Sequence, residues 1–179
     1  MKKLWWLGLT LLLAVSVAAG CSSDGEKSTD KKDTKDTETA ESSKENVQSD
    51  MIDFYMNLTG TINSADTDLQ NYEAAAAKED TKKEDLAAMA PNAAASAEAV
   101  AGKIGEVTVP DSLKDYKSDL EAALTDLKDS YSMKAEELKK GADANLDAAN
   151  EKLASADEKI GSLLEKAGLT TASITNDVN

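Results

Sequence analysis

Histidine and arginine are both absent from this 179-residue chain, and cysteine occurs once, at position 21. Each absence removes a class of chemistry. Without imidazole there is no side chain whose ordinary pKa lies near neutral pH, so the usual general base and the commonest metal ligand are missing. Without guanidinium there is no planar fork to clamp a phosphate or carboxylate with two parallel hydrogen bonds. A single cysteine can form no disulfide within the chain, and no Cys/His zinc site can be assembled from it. No glycine-rich phosphate loop and no Gly-x-Ser-x-Gly turn occurs. The sequence predicts no catalytic residue, no metal ligand and no cofactor site.

Large apolar side chains are also scarce. Beyond residue 20, Leu, Ile, Val and Phe make up about 15% of the chain, and much of the remaining apolar content is alanine. Such a composition cannot fill a thick sheet-based core. It can fill narrow contacts between helices, where small side chains let backbones approach. What the chain has in excess is negative charge: 34 acidic residues against 20 lysines, a net of −14. Nucleic acid and anionic head groups should repel it, and cationic proteins, cationic peptides or divalent ions should attract it.

The longest apolar run lies at the start. Met1-Lys2-Lys3 is followed by Leu4 to Val17 and then by Ala18-Ala19-Gly20-Cys21. The run is shorter than the roughly 20 residues a membrane-spanning helix needs. This layout resembles a bacterial lipoprotein signal peptide ending in a lipobox, with Ala18 where that family most often has leucine. The resemblance implies a signal peptide over 1–20, cleavage before Cys21, and a diacylglyceryl group on the Cys21 sulfur. It further implies an anchored protein on the extracytoplasmic face of the cell membrane, as on Gram-positive cell surfaces. Two or more acyl chains hold a protein stably at a membrane, where one binds reversibly.

From Ser22 to Glu45 the only apolar residue is Ala40. A segment that buries nothing is expected to be disordered, so 21–45 reads as the lipidated cysteine and a linker. About 25 such residues span roughly 25–30 Å on average. A helical domain is expected over 46–168. Apolar positions at Tyr55, Leu58, Ile62, Ala65, Leu69, Tyr72 and Ala76 step by threes and fours, a heptad seam predicting one helix over about 47–79. Thr81 and Glu84 fit a capping box for a second helix reaching about residue 104, which Pro91 would kink or break. Ser112-Leu113-Lys114-Asp115 opens a third stripe running from Leu113 to Ala167, with Gly168 placed as its C-terminal cap. The expected fold is all-α: an elongated antiparallel bundle or coiled coil of about three helices with one long C-terminal helix over 112–167. A break at Gly141 would make it a four-helix bundle. Residues 169–179 are expected to be a flexible tail.

Few residues stand out as candidate sites. Asp66-x-Asp68 and Asp143-x-Asn145-x-Asp147 imitate the start of a calcium loop, but the sixth positions are Asn71 and Ala148 and the twelfth are Ala77 and Ala154, so both fail the EF-hand pattern. Ser130 and Ser132 do not form a Ser-x-x-Lys motif with Lys134, and the two-residue step from Ser132 to Lys134 points their side chains apart on a helix. Asn57-Leu58-Thr59 is a three-residue sequon match without weight in a bacterial chain. Phe54, Tyr55, Met56, Tyr72, Tyr116 and Tyr131 sit at helical spacing, which favours core over a binding surface. Gly60 marks either a close helix contact or a weak point. The only site residue expected is Cys21, for lipidation. The expected function is a membrane-anchored, non-catalytic protein-interaction or cell-envelope module with no nucleic-acid partner. A self-associating coiled-coil spacer, and more remotely a solute-binding lipoprotein, are the alternatives.

Overall fold

The computed structural model describes the backbone of residues 35–178 and the side chains of 44–178. The apolar run, Cys21 and the linker as far as residue 34 lie outside the described residues. Every regular element among them is helical: α1 (Lys35–Asn63), α2 (Thr67–Ala76), α3 (Lys83–Ile104), α4 (Lys117–Leu138), α5 (Asp147–Lys166) and the single turn α6 (Ile174–Asp177), with 3-10 turns at Asp111–Leu113 and Gly141–Asp143. Helix α1 begins at Lys35, ahead of the boundary expected near Asn46, so residues 35–45 are helical.

The helices pack on one core. α3 lies against α1, α2 and α4, and α5 lies against α4. What α3 buries is mostly alanine: Ala90, Ala93, Ala94, Ala97 and Ala101, with Val100 and Ile104 toward its end. Short side chains let three neighbours approach one helix, at the cost of little area per contact. α4 supplies the larger residues Leu120, Leu127, Tyr131 and Leu138. α3 runs unbroken through Pro91. Pro91 and Ala87, whose carbonyl the proline leaves unbonded, are both on the exposed side, where water can take that bond.

The first helix predicted from the seam is two helices, and the cause is one side chain. In a continuous helix the Leu69 amide would donate to the Ala65 carbonyl. Instead the Ser96 hydroxyl of α3 stands between them, donating to Ala65 O at 2.6 Å and accepting from Leu69 N at 3.3 Å. A side chain inserted into the hydrogen-bond ladder is a recognised cause of sharp helix kinks. The apolar stripe continues across the break, with Leu58, Ile62, Leu69 and Tyr72 all buried. Thr81 does not cap α3 as the capping box predicts. Its hydroxyl donates to Ala75 O at 2.6 Å, closing the end of α2.

The long third helix is corrected in the same way. The segment expected as one helix over 112–167 is a 3-10 turn, α4, a second 3-10 turn and α5. Gly141 has φ +69, a conformation that ends a right-handed helix and that glycine adopts without steric cost. Beyond it the chain reverses. Lys152 and Lys159 both pair with Asp126, and Lys166 with Asp119 at 3.7 Å, so α5 runs antiparallel to α4. Gly168, at φ +83, closes α5 as expected: Gly168 N donates to Glu165 O at 2.8 Å and Leu169 N to Leu164 O at 3.0 Å, the Schellman pattern.

The residues beyond Gly168 are held, contrary to the flexible tail expected there. Ile174 is fully buried. Asp157 of α5 accepts from the Ser173 hydroxyl, the Ile174 amide and the Thr175 hydroxyl, at 2.7, 2.7 and 3.1 Å. The Tyr55 hydroxyl donates to Asp177 Oδ2 at 2.6 Å, and Asn63 Nδ2 to the Asp177 carbonyl at 3.2 Å. A predominantly polar segment is thus fixed by hydrogen bonds that hydropathy does not register.

Replacing Ser96 with Ala removes both hydrogen bonds at the α1–α2 break and leaves a carbonyl and an amide unpartnered. The expected loss of unfolding free energy is about 1–3 kcal/mol, read from urea denaturation with the m-value unchanged. A variant as stable as the parent would show that the hydroxyl does not hold the break.

Candidate functional site

Two charged residues occupy core positions. Lys134 falls in the buried stripe of α4 between Tyr131 and Leu138, at steps of three and four. Asp66 falls between Ile62 and Leu69 with the same steps, at the entrance to α2. Their exposures are 3% for Lys134 and 2% for Asp66. Charged residues are almost never this buried unless paired. Both could be read from the periodicity: each is an ionised residue inside a seam that neighbouring residues define as apolar. A seam drawn through the apolar neighbours alone steps over both charges.

Their surroundings form one polar cluster. Lys134 Nζ donates to Glu73 Oε1 of α2 at 2.7 Å, the only ion pair among those of the described residues whose cation is so fully enclosed. The ammonium also lies 5.5 Å from the centre of the Tyr131 ring, within reach of cation–π attraction. Asp66 accepts from Gln70 Nε2 at 2.8 Å. Burial pushes the Asp66 carboxyl above its ordinary value of 3.8, with the Glu73 charge adding to the rise, while Gln70 and Lys134 act in the opposite direction. Burial likewise raises the Tyr131 phenol, and the negative charges of Asp66 and Glu73 raise it further. The cluster therefore places two acids, Glu73 and Asp66, around one lysine.

Beside the cluster a groove of about 630 Å³ opens. Glu73 and Lys134 form its charged part, Leu146, Leu153 and Val178 its apolar walls, and Asp147 adds a further carboxylate. Glu73 is partly open to solvent, with 36% of its side chain exposed. The elements meeting here are the end of α2, the second half of α4, the start of α5 and the C-terminal turn.

The other residues singled out by sequence fall apart spatially or into the core. Asp68 is exposed while Asp66 is buried, and Asp143 pairs with Lys83 at 3.4 Å on the surface. Among the described residues no group of three or more His, Cys, Asp or Glu side chains could hold a metal ion. Ser130 lies four residues before Lys134, yet it is fully buried and its hydroxyl donates to Leu127 O at 2.6 Å. The Ser132 hydroxyl donates to Lys128 O at 3.0 Å. Phe54, Tyr55, Tyr72 and Tyr131 are in the core, and Met56 is exposed. Gly60 makes no close helix contact, since a Cβ there would meet nothing within 4 Å. No described helix is long and apolar enough to cross a membrane. Cys21 lies outside the described residues.

The raised Asp66 carboxyl sets a pH dependence. A carboxyl whose folded pKa exceeds its unfolded value stabilises the fold fully below the unfolded value, and that contribution is lost as pH rises through the folded one. Stability attributable to Asp66 therefore falls as pH climbs above the ordinary value of 3.8 and through the raised one. Asp66→Asn keeps an acceptor for Gln70 and removes the buried charge. It should raise Tm at about pH 7 and leave Tm nearly unchanged at about pH 3.5, as followed by circular dichroism. A variant less stable at pH 7 than at pH 3.5, relative to the parent, would mean that the ionised carboxylate is favoured by its surroundings.

No protein-family model matches the chain, and neither does any curated protein or solved structure.

Proposed function

We propose that this chain is a membrane-anchored extracytoplasmic lipoprotein whose helical domain works by contact, as a non-catalytic interaction or cell-envelope module. The observation that carries the reading is the apolar run Leu4 to Val17 closing on Ala18-Ala19-Gly20-Cys21, with the chain's one thiol at the position the lipobox requires. In this reading Cys21 becomes the acylated first residue of the mature protein, and the polar stretch from Ser22 is a tether holding the domain off the membrane. The architecture is that of an antiparallel helical bundle, and the α4–α5 ion-pair register supports it. Without Lys2 and Lys3 the mature balance is about −16, a charge that keeps such a domain soluble and away from nucleic acid.

Growing cells expressing the full chain with radiolabelled palmitate tests the anchor. The parent should take up label and sediment with membranes. Cys21→Ser should do neither, because losing the acyl chains removes about 0.8 kcal/mol of membrane affinity for every buried CH₂. A serine variant that stays as firmly membrane-bound as the parent would overturn the reading.

A second reading, a self-associating spacer, is favoured by one observation. Ile52 and Met56 are 44% and 65% exposed one helical turn apart on α1. If that face pairs with a second copy, light scattering at micromolar concentration should give a dimer that Met56→Lys returns to monomer, whereas a monomeric parent would exclude this pairing.

A further inference from the structure

The groove beside Lys134 and Glu73 has apolar walls and a surplus of one charge. Its cation is already engaged: Lys134 Nζ is 2.7 Å from Glu73 Oε1, and its side chain is 3% exposed. Its anions are less confined, since Glu73 is partly open and Asp147 lines the groove from an exposed position. Asp66, buried behind them, is a third acid close enough to feel the same lysine. An incoming anion would meet the two carboxylates that line the groove, Glu73 and Asp147, and one lysine whose charge is spent. The first turn of α5 also opens here and could attract an anion, but Asp147 already supplies negative charge at that turn, and the Asn145 side-chain oxygen accepts from the Asp147 amide at 2.8 Å.

A cation on an apolar stem fits these walls on both counts. Lysine and arginine bury their methylene stems along apolar surface while the charged head stays with polar partners. Leu146, Leu153 and Val178 supply that surface, and Glu73 and Asp147 the partners. The volume, about 630 Å³, lies within the usual range of pockets that hold a small molecule, ample for one long side chain. The chain's net charge of −14 would steer such a partner toward it.

The geometry points to this groove as the docking site for a basic segment of a partner protein, with a lysine or arginine side chain inserted between Glu73 and Asp147. The inference rests on the reading of the chain as a contact module and names the chemistry of what it contacts. Arginine should be favoured over lysine, because its fork can engage two carboxylate oxygens at once.

The test uses the full chain in nonionic detergent micelles and three short labelled peptides followed by fluorescence anisotropy: one alternating arginine and leucine, one with citrulline for arginine, and one with glutamate for arginine. The arginine peptide should bind, the citrulline peptide about tenfold more weakly, and the glutamate peptide not at all. Asp147→Asn should weaken the arginine peptide about three- to fivefold, as expected for one partly exposed charge pair. Leu153→Asn should weaken it about tenfold through the lost apolar wall, with its melting curve confirming that it folds. Asp53→Asn, at an exposed acid on α1, should change nothing. The proposal is overturned if Asp53→Asn weakens binding as much as Asp147→Asn, since attraction would then be diffuse. It is equally overturned if the glutamate peptide binds better, or if the arginine peptide fails to bind at millimolar concentration. None of these outcomes depends on the acyl group, so failure here leaves the palmitate result standing, and failure there leaves the groove.

Discussion

A serine hydroxyl placed in the middle of what would otherwise be one helix sets the arrangement of the first half of the domain. By standing between Ala65 O and Leu69 N, Ser96 satisfies the two backbone groups that would have bonded to each other and lets the chain turn between α1 and α2. The exchange costs no buried hydrogen bond, so the break need not be stabilised by strain elsewhere. α2 can then lie along α3 in its own direction, and Glu73 comes within reach of Lys134. Asp66, at the break itself, is enclosed by the same turn. The polar cluster is thus a consequence of where one hydroxyl sits on α3.

That hydroxyl can reach the break because its neighbours on α3 are alanines. Ala93 and Ala97 flank Ser96 within a turn and are fully buried, so the α3 backbone comes close enough for a serine to touch another helix's main chain. Leucines at those positions would hold the helices farther apart, and the hydroxyl would fall short. The scarcity of large aliphatic residues and the buried polar contacts are therefore linked. A thin contact between backbones brings polar main-chain atoms within range, and small hydroxyls are what can bond to them. Thr59 and Ser130 are also buried, but their hydroxyls bond carbonyls of their own helices, three or four residues back.

The all-α class, the extent of α3 and the glycine cap of α5 were legible from periodicity and capping residues, because those signals are local. The α1–α2 break was not, for a physical reason: the stripe Leu58, Ile62, Leu69, Tyr72 keeps helical spacing across it, and the residue that breaks the ladder lies on a different helix. Gly141 was legible as a weak point. That it ends α4 depends on α5 turning back to place Lys152 and Lys159 against Asp126, a gain that no glycine propensity contains. The C-terminal residues were misread because hydropathy sees Thr, Ser and Asn as solvent-facing, while Asp157 makes three of their donors into an anchor. Lys134 and Asp66 were present in the pattern as charges at apolar positions. Reading the seam through its apolar neighbours alone erased them.

A buried lysine in a chain of net charge −14 has a definite electrostatic meaning. In a neutral protein such a residue would be a natural anion site. Here Glu73 consumes its charge at 2.7 Å, while Asp66 lies in the same field with its carboxyl raised by burial. The pair has a cost, since apolar residues of the same volume often stabilise a core as well or better. What the pair provides that an apolar core would not is a carboxylate fixed at the inner edge of a groove, partly open to solvent and backed by a second buried acid. Among the described residues there is no imidazole, guanidinium or thiol. If the groove docks a basic segment as proposed, negative charge held in a shaped, partly apolar place is what the cluster contributes to that contact.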